Sequence, residues 1–155
     1  TVDETIAFLF DDEDQRKAAN AYRKEMTYRS FIKDMEPEPY LKPILKKLRS
    51  EYKTAIVTNR TDTMPLVLAE FDLENDFDLV ITALDVSRPK PFADPLIKVL
   101  KYFNVGPREV IYVGDSELDE IAAKAAEIPF IAFNNPSLAA DFHITSLKEI
   151  WSIVS

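Results

Sequence analysis

The chain has 155 residues, a net charge of −8 and no cysteine, and 46% of its residues are hydrophobic. This length suits one domain, or one domain and part of another, and the hydrophobic share suffices for a core. The negative charge argues against a general nucleic-acid binder, because phosphate backbones require a basic surface. No cysteine means no disulfide and no thiolate zinc site. No apolar run reaches membrane-helix length and no signal peptide is visible, so we predict a cytoplasmic protein.

The first part of the chain, residues 1–36, carries helical patterns and no strand pattern. Residues 1–4 (TVDE) match a capping box, and Asp11 or Asp12 is placed to cap a second helix. Three apolar residues share one face of the first helix: Ile6, Leu9 and Phe10. Three aromatic residues follow helical spacing: Tyr22, Tyr28 and Phe31. We predict a small helical module with these aromatic side chains in its core.

From about residue 37 the pattern changes to alternating strands and helices. Four short apolar runs are typical of buried strands: 53–58, 77–83, 108–114 and 129–133. Helical spacing marks five further stretches: 41–50, 63–73, 94–103, 116–126 and 146–154, the last with Ser146 as its N-cap. Apolar strands separated by helices indicate a parallel sheet covered on both faces. The predicted fold is α/β: a doubly wound, Rossmann-like parallel sheet with a partial helical cap at the N-terminus.

Polar residues that suit phosphate chemistry follow three of these strands. Thr58 and Asn59 follow the first, Lys90 follows the second, and Asp115 and Asp119 follow the third. The carboxyl ends of parallel strands meet at one sheet edge, where ligands bind in this fold class. There a lysine and a hydroxyl suit phosphoryl oxygens, and carboxylates suit magnesium. Each residue alone has a structural alternative, since the acids can cap a helix, the threonine can end a strand and the lysine can lie on the surface.

Three stretches, in this order, resemble motifs of the haloacid dehalogenase-like hydrolase superfamily, in its phosphoglycolate phosphatase-like branch with a helical cap. They are AIVTNR, SRPKPFADPL and VIYVGDSELDEIAAKAA, and the similarity covers about residues 40–155. The resemblance implies that Thr58 and Lys90 are catalytic and bind the phosphate, with Asn59 as a further phosphate-binding residue. It also implies that Asp115 is a magnesium ligand and that Asp119 supports the same metal site.

Three other residues carry expectations of their own. Gly114, one of only two glycines, ends the third strand, and we expect it to permit a sharp turn where a side chain would crowd the metal. Glu127 departs from the family, which usually has glycine at this helix-ending turn. His143, the sole histidine, is expected to be structural rather than catalytic.

The family's first motif, a strand followed by Asp-x-Asp-Gly-Thr, has no full counterpart here. Its first aspartate is the nucleophile and its second is the general acid and base. Asp12 and Asp14 have the right separation, but Gln15 and Arg16 stand where the family has Gly-Thr. The residues before them also follow a helical pattern. A degenerate first motif at Asp12 and Asp14 is therefore the less favoured interpretation.

We expect instead that the nucleophile lies upstream of this chain. Residues 1–36 would then belong to the cap, and residues 37–155 would be an α/β core without its first strand. In the resembled fold that strand is central, so the strands at about 53–58 and 109–113 should flank a gap one strand wide. Because such a chain has no group to accept the phosphoryl, we expect these 155 residues alone to be inactive.

The resemblance implies a magnesium-dependent phosphatase that acts on a small phosphorylated metabolite through an aspartyl-phosphate intermediate. A phosphosugar mutase of the same superfamily is one alternative. A non-catalytic α/β binding domain that has lost its nucleophile is another. Dehalogenation needs no metal and fits the two carboxylates, Asp115 and Asp119, less well. No nucleic-acid or membrane partner is predicted, and the sequence carries no signal for an oligomeric state.

Overall fold

The computed structural model describes residues 2–25 and 29–155. Within this part of the chain the α-helices are α1 (Val2–Leu9), α2 (Glu13–Glu25), α3 (Arg29–Ile32), α4 (Leu41–Leu48), α5 (Met64–Glu70), α6 (Asp94–Phe103), α7 (Glu117–Ala125) and α8 (Ile150–Val154). The strands are β1 (Ala55–Val57), β2 (Leu79–Ile81), β3 (Tyr112–Gly114), β4 (Phe130–Phe133) and β5 (Phe142–Ile144). Short 3-10 turns occupy Ala83–Asp85, Pro107–Glu109 and Leu147–Glu149.

All strand pairs are parallel, and they form two sheets. β1 pairs with β2, and β4 pairs with both β3 and β5. β1 and β3 form no ladder with each other, as expected, and the predicted one-strand width of the gap between them stays a prediction. Thr58 N–H donates to Ile81 O toward β2. Since successive residues of a strand direct their backbone groups to opposite sides, the Val57 carbonyl points away from β2, toward the unpaired edge.

Helices cover both faces of the β3–β4–β5 sheet, as the doubly wound prediction requires. Alternate residues of β4 point to opposite sides. Phe130 and Ala132 pack in a cluster with residues of α6 and α7, whereas Ile131 packs in another with residues of α4 and α8. Buried partners in the first cluster include Leu96, Ala122 and Ala123, and in the second Ile44 and Ile150. The α/β fold class predicted from the alternating pattern is therefore confirmed.

The N-terminal helices agree only in part with the prediction. Asp12 caps α2, since its Oδ1 accepts the backbone N–H groups of Asp14 and Gln15 at 2.9 and 3.0 Å. Ile6 is buried, but Leu9 is exposed. The prediction of an aromatic core was wrong for Tyr22 and Phe31, which are both exposed. Tyr22 lies on the strongly polar α2, which packs on α1, whereas Phe31 lies on the short α3, which packs on α5. Thr1 and Tyr28 lie outside the described residues.

The C-terminal part contains a strand that the sequence did not predict. β5 holds His143, whose Nε2–H donates to Leu138 O at 3.0 Å, so the histidine has a structural contact, as expected. The final helical stretch begins as a 3-10 turn before α8, and the Ser146 N–H there donates to the Glu149 carboxylate at 2.9 Å. No helix among the described residues is long and apolar enough to cross a membrane.

Glu127 ends α7 in a left-handed backbone conformation, with φ of 57°. Ile128 N–H donates to Ala123 O and Glu127 N–H to Lys124 O, the pattern of a Schellman cap that favours glycine. We expect Glu127→Gly to raise the free energy of unfolding by about 1 kcal/mol, because it removes the clash of a Cβ in this conformation. Urea unfolding measures the change. Glu127→Ala is the control, and an equal gain in that variant would assign the effect to the lost charge instead.

Candidate active site

The residues predicted after β1, β2 and β3 come together at the carboxyl ends of the strands. Asn59 connects the first two segments, because its amide donates to Lys90 O at 2.8 Å and accepts from Lys90 N at 3.0 Å. Both polar atoms of the amide are therefore engaged with the backbone N–H and C=O of a single residue. The interaction fixes the backbone that carries the lysine. The role predicted for Asn59 in phosphate binding stays a prediction.

Lys90 lies at the centre of the site, with only 11% of its side chain exposed. Its ammonium donates to Val57 O at 3.2 Å, to the Tyr112 hydroxyl at 3.0 Å and to Asp119 Oδ1 at 2.6 Å. These acceptors belong to β1, to β3 and to the first turn of α7. The cation thus bridges the two sheets at the edge where neither β1 nor β3 has a strand partner in the described chain.

Asp119 is a buried carboxylate with both oxygens engaged, and 5% of its side chain is exposed. Oδ1 accepts from Lys90 and Tyr112, while Oδ2 accepts from Ser116 Oγ at 2.6 Å and from two backbone N–H groups. Burial by itself raises the pKa of this carboxyl, but hydrogen bonds from Lys90, Ser116 and Tyr112 outweigh burial and hold the pKa below its usual range. Asp119 is therefore an anion that orients the lysine and the loop after β3.

Gly114 is required for a different reason from the one expected. Its φ is not positive, so the turn itself does not demand glycine. A Cβ at this position would lie 2.5 Å from Asp119 Cβ and 2.6 Å from Asp119 Cγ, which is closer than atoms approach. The missing side chain makes room for Asp119 to fold back over the strand end. Gly114 thus makes room directly for the buried carboxylate of Asp119.

Tyr112 belongs to the site and was missed by the sequence interpretation. Its ring packs with Phe130 at a centroid distance of 6.0 Å, while its hydroxyl donates to Asp119 Oδ1 at 2.6 Å. Burial and the nearby Asp119 charge raise the pKa of Tyr112, so the hydroxyl stays protonated. Its position in an apolar strand is typical of a core side chain. The sequence feature that could have revealed Tyr112 is its hydroxyl, which lies in the same strand that leads into the acidic segment beginning at Asp115.

Asp115 is the exposed carboxylate of the site. Its side-chain oxygens accept no hydrogen bond within residues 2–25 and 29–155, and its backbone carbonyl accepts from Asn135 Nδ2 at 2.8 Å. Lys90 pairs with the other acid of this segment. The carboxylate in direct contact with the ammonium is Asp119, because the first turn of α7 brings that side chain inward over Gly114.

Thr58 lies half-buried at the end of β1. Its Oγ1 accepts the backbone N–H of Arg60 at 3.1 Å, a bond that leaves the hydroxyl proton available to a ligand. Asp12 and Asp14, the alternative nucleophile pair, lie instead in the helical segment, where Asp12 caps α2 and Asp14 pairs with Lys17 at 3.7 Å. Neither aspartate follows a strand, in contrast to the site residues.

The donor set fits a magnesium ion in part. Asp115 offers a free, exposed carboxylate of the kind that magnesium prefers. Asp119 does not fit as a direct ligand, because both of its oxygens are already bonded to the lysine, the tyrosine and the loop. The residues that the structure describes contain no group of three acids or histidines able to hold a metal. Further ligands would have to come from substrate, water or other protein segments.

Known proteins resemble this chain in sequence and in structure. The family model of the haloacid dehalogenase-like hydrolases matches residues 1–133. A putative pyrophosphatase PpaX of Caldanaerobacter subterraneus is 33% identical over 94 residues, which are 59% of this chain and 43% of that protein. The phosphoglycolate phosphatase of Escherichia coli K12 is 38% identical over 77 residues, or 49% of this chain and 31% of that enzyme. The chain thus aligns with less than half of the length of either relative.

One solved structure is that of a hydrolase of the same superfamily from Geobacter sulfurreducens. It is 34% identical to this chain and superposes with a TM-score of 0.85, and the alignment covers all of this chain and 73% of the other protein. The family model matches most of the chain, over residues 1–133, and the parallel sheets and the order of the three strand-end segments fit the same family. The chain belongs to the haloacid dehalogenase-like hydrolases.

Proposed function

We propose that the full-length protein is a magnesium-dependent phosphatase that hydrolyses a phosphoric monoester of a small metabolite. The main support is the Lys90 ammonium, which is fixed by Asp119 and Tyr112 at the strand ends, near a free carboxylate at Asp115. A buried, oriented cation at this edge suits the oxygens of a transferring phosphoryl group. The names of two relatives, a phosphoglycolate phosphatase and a pyrophosphatase, agree with small phosphorylated substrates.

In this proposal each residue has one task. Lys90 binds the transferring oxygens and stabilises the charge that they carry. The Thr58 hydroxyl donates to another of these oxygens, and Asn59 holds the lysine backbone in place. Asp115 would hold magnesium, which when bound neutralises phosphate charge. Asp119 would support that site indirectly, through the loop that carries Asp115.

The nucleophile in the proposed reaction is an aspartate of a segment outside residues 1–155. That segment would add a strand between β1 and β3, whose facing edges have no partner in the described chain. The strand would join the two sheets, and its end would bring the aspartate to Lys90. Residues 1–36 would then be part of the helical cap and residues 37–155 part of the core. Attack of the aspartate on phosphorus would break the ester P–O bond, and the alcohol would leave with a proton from the second aspartate of the family's first motif. Water would then hydrolyse the aspartyl-phosphate to inorganic phosphate and the free aspartate.

The test is phosphate release by the full-length protein from a panel of small phosphate esters, with and without magnesium. We expect hydrolysis that magnesium stimulates, and we expect Asp115→Asn to lose that stimulation. Asp12→Asn is the control, because that carboxylate caps a helix of the N-terminal segment, and this variant should keep the activity. A full-length protein inert toward the whole panel would favour a non-catalytic binding domain. Transfer between two positions of a phosphosugar, without net release, would favour a mutase.

A further inference from the structure

The hydrogen-bond donors of Lys90 can be counted. An ammonium has three protons, and in this structure they meet three acceptors: Val57 O at 3.2 Å, the Tyr112 hydroxyl at 3.0 Å and Asp119 Oδ1 at 2.6 Å. A phosphoryl oxygen can therefore bind the ammonium only by replacing one of them. The bond to Val57 is the longest and its acceptor is an uncharged carbonyl. It is also the contact at the open edge of β1.

The other two acceptors form a unit. The Tyr112 hydroxyl accepts from Lys90 and donates to Asp119 Oδ1, so lysine, tyrosine and aspartate make a closed triangle of hydrogen bonds. Phe130 supports the tyrosine ring and Ser116 supports the far oxygen of the aspartate. An ammonium with two of its protons fixed cannot rotate freely about its Cε–Nζ bond. Its third proton therefore has a set direction.

We propose that Tyr112 is a positioning residue, whose hydroxyl acts with Asp119 to fix two protons of Lys90 and so directs the third at the phosphoryl group. The inference rests on the proposed phosphatase function. Tyr112 does not need to touch the substrate in this role. Without the hydroxyl the lysine keeps its charge and its aspartate partner, and it loses only its fixed orientation.

This role has a distinct kinetic consequence. A loosely oriented ammonium still attracts a bound phosphate, because attraction between charges depends weakly on direction. Stabilisation of the transition state requires donors that are already aligned with the oxygens as charge and geometry change. The loss of orientation should therefore lower kcat more than it raises KM. It should also weaken binding of a pentacoordinate analogue more than binding of tetrahedral phosphate.

The variant is Tyr112→Phe in the full-length protein, which keeps the ring against Phe130. We expect kcat to fall about tenfold and KM to change less than about twofold, as for one lost hydrogen bond to a charged group. The inhibition constant of vanadate should rise about tenfold, while that of inorganic phosphate stays within about twofold. Tyr52→Phe is the matched control. It removes a hydroxyl that donates to Val154 O in the other core cluster, and it should leave all four constants unchanged.

A second measurement needs neither turnover nor magnesium. Buried, hydrogen-bonded lysine ammonium groups exchange slowly with water and can be observed by proton–nitrogen NMR. We expect one such signal from Lys90, assigned by its loss in Lys90→Met. It should broaden in Tyr112→Phe and persist in Tyr52→Phe.

The outcomes separate the two proposals. An inert wild-type protein would overturn the phosphatase function, and the positioning role would fall with it. An active wild-type protein with a sharp Lys90 signal and unchanged kinetics in Tyr112→Phe would overturn the positioning role alone. Equal increases in the vanadate and phosphate constants would also overturn it, because they indicate a general loss of binding or structure.

Discussion

Asp119→Asn is expected to lower the free energy of unfolding by about 3–5 kcal/mol near pH 7. The change keeps the shape of the side chain and removes its charge, so the ammonium of Lys90 stays buried without an anion. Only 11% of the lysine side chain and 5% of the aspartate side chain are exposed, so water cannot replace the lost partner. The measurement is urea unfolding of the full-length protein and of the variant.

The chain offers a matched control on its surface. Lys53 and Asp78 form a pair at 2.8 Å, nearly as short as the 2.6 Å of Lys90 and Asp119, but the Lys53 side chain is 70% exposed. Asp78→Asn should cost no more than about 1 kcal/mol, because water screens this pair. The double variant Lys90→Met with Asp119→Asn should be more stable than Asp119→Asn alone, since it removes the orphaned charge. Equal costs for the two single aspartate variants would contradict the prediction.

The same pair implies a pH dependence with a definite sign. The pKa of Asp119 is lowered in the folded protein, so the stability that this carboxylate contributes is present above its ordinary value of 3.8. That contribution is lost as the pH falls through the lowered pKa. Asp119→Asn has no such contribution to lose. The stability difference between the two proteins should therefore shrink as the pH drops below about 3.8, which urea unfolding at a series of pH values would measure.

The strand ends and their motif residues were predictable because the signals are local. A short apolar run followed directly by a hydroxyl or an acid marks a strand end, whatever its neighbours do. Lys90 lies beyond the 3-10 turn after β2, and the motif around it, not a strand end, indicated its place. The unpaired edges of β1 and β3 also followed, since the missing motif left no strand to pair with them. β5 was not predictable, because its three residues include His143 and carry no apolar run.

The partner of Lys90 could not be predicted from spacing. Asp115 and Asp119 both follow β3, and the sequence does not say which carboxylate turns inward. That choice depends on the contact between Asp119 and Gly114, which exists only once α7 has formed. Tyr112 was missed for a related reason. Its ring belongs to the apolar core, as its position in the strand indicates, and only the three-dimensional structure shows where its hydroxyl ends.

The Lys90 side chain carries the largest expected effect on activity. Lys90→Ala in the full-length protein should lower kcat by roughly 10²–10³-fold, the range seen when one group that stabilises developing charge is removed. Lys90→Arg should recover less than about a tenth of the lost rate. A planar guanidinium keeps the charge but cannot meet Val57 O, Tyr112 and Asp119 with the tetrahedral geometry of an ammonium. Steady-state phosphate release measures both variants.

Lys53→Ala is the control for these variants, because Lys53 forms the exposed ion pair with Asp78 and should leave kcat unchanged. Lys90→Ala also leaves Asp119 buried without its cation, so circular dichroism must first show that the variant is folded under the assay conditions. A folded Lys90→Ala protein that keeps kcat within about threefold of wild type would remove the lysine from the mechanism. The phosphoryl oxygens would then have to be stabilised by Thr58 and by groups outside this chain. The positioning role of Tyr112 would also be contradicted, because that role consists in orienting Lys90.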